Sequence, residues 1–303
     1  MSERQTTSYL IRRFAEAGIR PDTRHGQNFL IDLNLLGLIA ESANLSDNDV
    51  VLEVGTGTGS LTALLAKSAA HVVTVEIDAT LHQLARESLA AIENVTMLQQ
   101  DVLKNKNLLH PDVLQAVRQQ IQEGSASHFK LVANLPYNVA TPIISNLLST
   151  DIFPTSMTVT IQKELADRMI ASPGTKDYSA LSIWIQSQCE VQVVRVMPPT
   201  CFWPRPKVNS AIIHIEPQAK LRERIPHPDL FHTFVRSMFF HRRKLLRRVL
   251  LSAYKGQFTK PDVDRILGTL GWRGETRAEQ LTVEEMIRLF QTVREELRTL
   301  GHS

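Results

Sequence analysis

One short segment constrains this chain more than any other. The apolar run Val50-Val-Leu-Glu-Val54 passes without a break into Gly55-Thr-Gly57-Thr-Gly59 and then into a helix-period segment from Ser60. Glycine lets a backbone turn sharply and approach a ligand with no Cβ in the way. The order of strand then helix recurs. His71-Val-Val-Thr-Val75, Val95-Thr-Met-Leu98, Phe129-Lys-Leu-Val-Ala133 and Met157-Thr-Val-Thr-Ile161 read as strands, with amphipathic stretches at Leu61–Ala69, Ala79–Ile92 and Pro142–Leu148. Strands apolar on both faces and alternating with helices predict an α/β fold with a doubly wound, mostly parallel sheet. Glu190–Met197 and Val208–Ile215 are separated only by a loop carrying Pro198, Pro199, Pro204 and Pro206. No helix fits between them, so they are expected to form an antiparallel pair at the sheet edge. The segment Lys104–His128 reads as an insertion between strands that holds a helical piece.

After Pro217 the β pattern stops. Leu230–Phe240, Arg242–Ala253, Val263–Leu270 and Val283–Leu300 have helical spacing, with Ser, Thr or Asp near their starts. The chain of 303 residues therefore divides into a domain at 1–217, with residues 1–24 as an N-terminal extension, and a small helical domain at 218–303. Hydrophobic residues make up 43% and charged residues 21%, enough to bury a core. No apolar run approaches the ~18 residues that would span a bilayer. Cys189 and Cys201 form no disulfide framework and show no metal-ligand spacing, and the N-terminus has no apolar signal core. A cytoplasmic protein is expected.

The glycine turn is followed by two acids at strand ends, Glu76 and Asp101. Open α/β sheets bind ligands at such positions, and a carboxylate about 20 residues beyond a glycine turn suits a ribose. A dinucleotide, or a tight turn with two capping acids, would give a similar pattern. The loop lacks the spaced third glycine of a pyrophosphate site and lacks a P-loop lysine. That favours a nucleoside without a phosphate cradle, such as that of S-adenosylmethionine. Glu76 would accept from both ribose hydroxyls and Asp101 from the adenine amino group.

The fourth strand ends in Asn134-Leu-Pro-Tyr137. Proline holds the residue before it extended, so the Asn134 side chain and the carbonyls of Leu135 and Pro136 can serve one cavity. Alone, four residues of this kind are an Asn-Pro turn with a packed tyrosine. At the end of a strand beside a nucleoside site they suit methyl transfer to an exocyclic amine. Asn134 and a Leu135 or Pro136 carbonyl would hold both amino hydrogens of an adenine. Tyr137 would stack on the base, and Phe202 would close its other face. Positioning and electrostatics then carry the catalysis, and no metal is required.

Further blocks complete a pattern: Gly26-Gln-Asn-Phe-Leu30, Glu53-Val-Gly-Thr-Gly-Thr-Gly-Ser-Leu-Thr62, Asn134-Leu-Pro-Tyr-Asn-Val-Ala-Thr-Pro142, Gln162-Lys-Glu-Leu-Ala-Asp-Arg168, Phe202-Trp-Pro-Arg-Pro-Lys-Val-Asn-Ser210 and Arg242-Arg-Lys244. In this order, from about Gly26 to about Leu289, the chain resembles the small-subunit ribosomal RNA adenine dimethyltransferases of the KsgA/Dim type. The resemblance implies a Rossmann-like S-adenosylmethionine-dependent methyltransferase sheet and cofactor contacts at Asn28 and Leu30 beside Gly55, Gly57, Glu76, Asp101 and Asn134. It also implies dimethylation of the N6 groups of two neighbouring adenines near the 3′ end of small-subunit rRNA, within an assembling subunit. A monomer is expected. Two positions depart from the family pattern. His25 stands where a hydrophobic residue is usual, and Thr56 replaces a frequent proline.

Charge is uneven. Lys220–Lys255 carries ten Lys or Arg against Glu223 and Asp229, whereas the preceding chain is mildly acidic. Its centre, His241-Arg-Arg-Lys-Leu-Leu-Arg-Arg248, is predicted on a helix after Phe239-Phe240, with Arg242, Arg243, Lys244, Arg247 and Arg248 contacting RNA phosphates. A solvated face would look the same. Three other readings stand beside the leading one: a large-subunit rRNA methylase of the antibiotic-resistance type, a non-catalytic assembly factor, and a nicotinamide-dependent oxidoreductase. The missing phosphate loop disfavours the last.

Overall fold

In the computed structural model, residues 7–16, 18–19, 21, 26–124, 126–272 and 275–302 are described; His25 lies outside them. Seven strands make the central sheet: β1 (Asp49–Val54), β2 (His71–Glu76), β3 (Val95–Gln99), β4 (His128–Asn134), β5 (Ser156–Gln162), β6 (Cys189–Met197) and β7 (Ser210–Pro217). Their spatial order is 3-2-1-4-5-7-6. Neighbours from β3 to β5 are parallel, while β7 runs antiparallel to β5 with Ser210 opposite Gln162. Chain direction across the sheet reverses between β1 and β4. At such a switch point open α/β sheets form their ligand crevice beyond the strands' carboxyl ends.

Every residue of β1 is buried, which is why it reads as an apolar run. Its two acids are compensated: Asp49 pairs with Lys130 Nζ at 3.1 Å, and Glu53 accepts two threonine hydroxyls. Leu36, Ile39, Leu61, Val72, Val132 and Ile212 belong to the core on one side of the sheet. A two-stranded ribbon lies apart from it, pairing Phe29 with Trp203 and Leu30 with Phe202.

The expectation of an insertion at 104–128 is corrected. A short hairpin, Leu103–Asn105 with Leu108–Leu109, leads into helix Pro111–Glu123, whose buried Val113, Leu114 and Val117 belong to a face packed on β1, β2 and β4. Parallel strands β3 and β4 cannot be joined without a crossover, and this helix is that crossover. Its polar outer face made it read as an appendage.

The chain forms two compact units, one of residues 1–166 and 192–216 and the other of 167–191 and 217–303. The single boundary expected at 217 is therefore corrected: residues 167–191 belong with the helical unit. Trp184 stacks on His232 with ring centroids 4.4 Å apart, and the buried Tyr178 hydroxyl donates to Leu281 O at 2.8 Å. The longer helices of this unit are Ala180–Gln186, Pro228–Phe239, Leu246–Ala253, Lys260–Thr269 and Val283–Thr299, with Thr259 and Thr282 supplying capping boxes. Phe290 packs between Phe231 and Phe234, with centroids 5.3 and 5.4 Å away.

The predicted helix through the basic block begins later than expected. Residues 240–243 are a turn, and the helix starts only at Leu246. Leu245 instead bridges to Arg277, and Leu246 N donates to Thr276 O at 2.8 Å, so the backbone there is committed to a neighbouring segment.

Candidate active site

Gly55, Gly57 and Gly59 all have φ in the left-handed region, at 84°, 57° and 80°, so the turn after β1 requires them. A Cβ on Gly57 would lie 3.3 Å from the Phe29 ring. The turn is held from both sides. Gly55 N donates to Val75 O at 2.8 Å, and Gly57 N donates to Glu76 Oε2 at 2.9 Å. The other Glu76 oxygen accepts from Asp78 N at 3.0 Å. Burial raises the Glu76 pKa above the usual carboxylate range, against these bonds.

Beneath the turn lies a chain of hydroxyls. Glu53 Oε2 accepts from Thr62 at 2.5 Å and from Thr74 at 2.7 Å. Since Thr74 spends its proton on Glu53, its 2.7 Å contact with Thr56 has Thr56 as donor. Thr56, at the position of the frequent proline, is thereby tied to Glu53. Burial pushes the Glu53 carboxyl up to about 8.

A cavity of about 160 Å³ opens at the switch point, and Asn28, Gly55, Gly57, Glu76, Asp101, Asn134, Leu135, Pro136 and Tyr137 all line it. Asp101 Oδ1 accepts from Leu103 N at 2.8 Å. Asn134 Nδ2 donates to Asn28 O at 3.0 Å, leaving Oδ1 as the acceptor end of that amide. Leu135 N donates to Thr160 O at 3.2 Å, and the Pro136 carbonyl accepts from Val139 N at 3.1 Å. The Tyr137 hydroxyl contacts Ser210 Oγ at 2.5 Å, and burial raises its pKa, so it stays neutral.

Two expected site residues do not line this cavity. Leu30 borders a smaller space of about 50 Å³ together with Glu53 and Asn134. Phe202 lines neither space. It is 3% exposed and packs in the core with Leu30 and Ile212, so the proposed second stacking face is corrected. Pairing places Phe202 opposite Leu30 in the ribbon, and both side chains join that core. Phe29, one position away, lines both spaces instead.

Sequence reasoning also missed Gln100 and Ser210. Gln100 lines the cavity, and its Nε2 is buried with no hydrogen-bond partner. Nothing in its spacing marks it, since it precedes Asp101 on a strand end with no other motif. Ser210 ends the Phe202–Ser210 motif, but only the fold reveals its hydroxyl beside Tyr137.

In the helical unit the basic block splits. Arg242 donates to the carbonyls of Lys176 and Tyr178 at 2.7 and 3.1 Å and lies 3.5 Å from Glu279. Arg247 grips Asp264 with two bonds of 2.5 and 2.6 Å, holding that carboxyl below the usual range. Arg243 is exposed. Lys244 and Arg248, with Arg236 and His241, border a cavity of about 510 Å³ where Phe240 stands 80% exposed.

The family model described as ribosomal RNA adenine dimethylase matches residues 20–295. Proteins named ribosomal RNA small subunit methyltransferase A are similar along nearly their full length. That of Lachnoclostridium phytofermentans is 36% identical over 276 residues, covering 91% of this chain and 92% of its own. That of Alkaliphilus oremlandii is 40% identical over 260 residues, covering 86% and 87%. Among solved structures, a dimethyladenosine transferase from Plasmodium falciparum shares the fold, with a TM-score of 0.73, 24% identity and coverage of 88% and 97%. The 23S rRNA methyltransferase ErmE aligns with a TM-score of 0.60 and 26% identity, over 88% of this chain and all of its own. A glycine turn and an Asn-Leu-Pro-Tyr strand end face one crevice, and the family match spans both units: this chain belongs to the ribosomal RNA adenine dimethylase family.

Proposed function

We propose that this protein methylates the N6 groups of two adjacent adenines near the 3′ end of small-subunit rRNA, using S-adenosylmethionine, during assembly of that subunit. The observation that carries the reading is the Asn134 amide, fixed by the Asn28 carbonyl in the same crevice lining as Gly57 and Glu76. The crevice suits the cofactor. Gln100 Nε2 is a buried donor without a partner, ready for an adenine ring nitrogen, and Glu76 has lone pairs left for ribose hydroxyls. Asp101 keeps Oδ2 for the adenine amino group. Bound S-adenosylmethionine supplies an electrophilic methyl group on its sulfonium.

The protein's task is to present the amine. The N6 lone pair of adenine is delocalised into the ring and is a poor nucleophile. Asn134 Oδ1 accepts one amino hydrogen. The second acceptor is assigned to the Leu135 carbonyl; the Pro136 carbonyl, which accepts from Val139 N–H, has one lone pair committed to the turn. Tyr137, tethered at its hydroxyl to Ser210, offers a fixed ring on which the base stacks. Catalysis is then mostly alignment of nitrogen and methyl group.

Lys244 and Arg248, joined by Arg236, are assigned to RNA phosphates, whereas Arg242 and Arg247 hold the unit together. The small-subunit substrate is favoured over the ErmE-like one because full-length relatives at 36–40% identity carry the small-subunit name.

Immature small subunits incubated with the protein and S-adenosylmethionine should gain dimethyladenosine at two neighbouring positions, read by mass spectrometry of the rRNA. Tight particle binding with no methylation would favour the assembly-factor reading instead.

A further inference from the structure

Helix Thr7–Glu16 belongs to the N-terminal extension, which the reading above leaves without a role. Its inward residues are Leu10 and Phe14, one turn apart and essentially fully buried. With Ile19 they form a cluster that contains Leu81 and Leu84 and abuts Phe29, Ile31 and Trp203. Phe14 meets Phe29 edge-on at 4.9 Å and Trp203 at 5.4 Å. Phe29 and Leu81 both line the crevice, the first against Gly57 and the second on the helix that follows Glu76. The extension thus packs behind two walls of the nucleoside site at once.

We propose that the N-terminal helix is a structural part of the cofactor site, with Phe14 as a positioning residue that seats the Phe29 ring against the glycine turn and holds it in register with Leu81. The inference rests on the proposal that the crevice takes S-adenosylmethionine. Edge-to-face pairs gain only when the rings keep their mutual geometry. Removing the Phe14 ring opens space behind Phe29, which then no longer presses on Gly57. Cofactor binding and helix docking are consequently coupled, each favouring the other.

Calorimetry on the full chain tests this with S-adenosylhomocysteine as probe. Phe14→Ala should weaken binding about tenfold, Phe14→Leu should recover most of the loss, and Ile11→Ala, on the 47% exposed face of the same helix, should leave it unchanged. The KM for S-adenosylmethionine should rise in Phe14→Ala while kcat at saturation stays near that of the parent. If Phe14→Ala fails to fold, hydrogen exchange on the parent protein gives the answer: amides of residues 10–16 should slow when the probe is bound. Unchanged affinity in a folded Phe14→Ala protein, or exchange in the helix indifferent to the probe, overturns the inference while the function stands. A parent protein that binds no probe overturns the cofactor reading itself.

Discussion

The side-chain amide of Asn134 donates to the backbone carbonyl of Asn28, 106 positions earlier in the chain and 3.0 Å away. An amide is ambiguous about which end is oxygen, and this bond removes the ambiguity. Nitrogen faces Asn28, so oxygen is left to accept a substrate hydrogen. Two motifs far apart in sequence thereby act as one group.

Asn134→Asp keeps an acceptor but loses the donor to Asn28, and Asn134→Ala loses both. Methyl transfer by Asn134→Ala should fall by about 10²-fold in kcat, with RNA affinity little altered. The Asp variant should lie between it and the parent. Equal kcat in all three proteins would show that Asn134 does not hold the target amine.

Tyr137 separates a ring from a hydroxyl. Tyr137→Ala should cost about 1–3 kcal/mol of transition-state binding, read as kcat/KM on immature subunits. Tyr137→Phe retains the ring and leaves the buried Ser210 hydroxyl without its partner, so it should lose stability with a smaller loss of activity. The reverse ranking would place the hydroxyl, not the ring, in the chemistry.

The arginines of the basic block should behave as two classes. Lys244→Ala and Arg248→Ala should each lower the salt slope of RNA binding by about 0.7, as expected for one phosphate contact on a single strand. Arg242→Ala should lower thermal stability instead, by about 1–3 kcal/mol, because it strips a charged donor from the Lys176 and Tyr178 carbonyls. A slope that falls equally for Arg242→Ala and Arg248→Ala would refute the division.

Glu53 gives a pH signature. An acid whose pKa is raised in the folded state stabilises the fold fully below its ordinary value of 4.5, and that contribution is lost as pH rises through about 8. Between those limits the parent should lose stability relative to Glu53→Gln by about 1 kcal/mol per pH unit, measured by urea unfolding. Parallel pH profiles for the two proteins would exclude Glu53 as the titrating group.

The sheet was legible because its central strands are buried on both faces and the glycines after β1 are obligatory, so local pattern and tertiary role agree. The helix at 111–123 was misjudged for the opposite reason: only one face of it is apolar, and its necessity comes from strand order, which no local pattern encodes. Residues 167–191 were assigned by position in the chain, while Trp184 and Tyr178 find their partners beyond residue 217. At the site, Gly55, Glu76 and Asn134 announced themselves by spacing. Phe202 did not behave as an aromatic beside a cavity should, because the choice between it and Phe29 depends on the ribbon's register. Arg242 and Arg247 show the same limit: a run of cations reveals charge, but not which members an acid or a carbonyl elsewhere has already claimed.

The split composition of the helical unit has a consequence for how the protein is made. Residues 167–191 leave the ribosome before residues 217–303, so Tyr178 and Trp184 must wait, uncovered, for partners still being synthesised. Nascent chains halted near position 220 would expose those aromatic surfaces to chaperones, and expressing the tail alone would yield a fragment missing its own inner helix. The glycine turn and Asn134 are translated earlier still, so the residues that line the crevice leave the ribosome before the unit assigned to holding its RNA is complete.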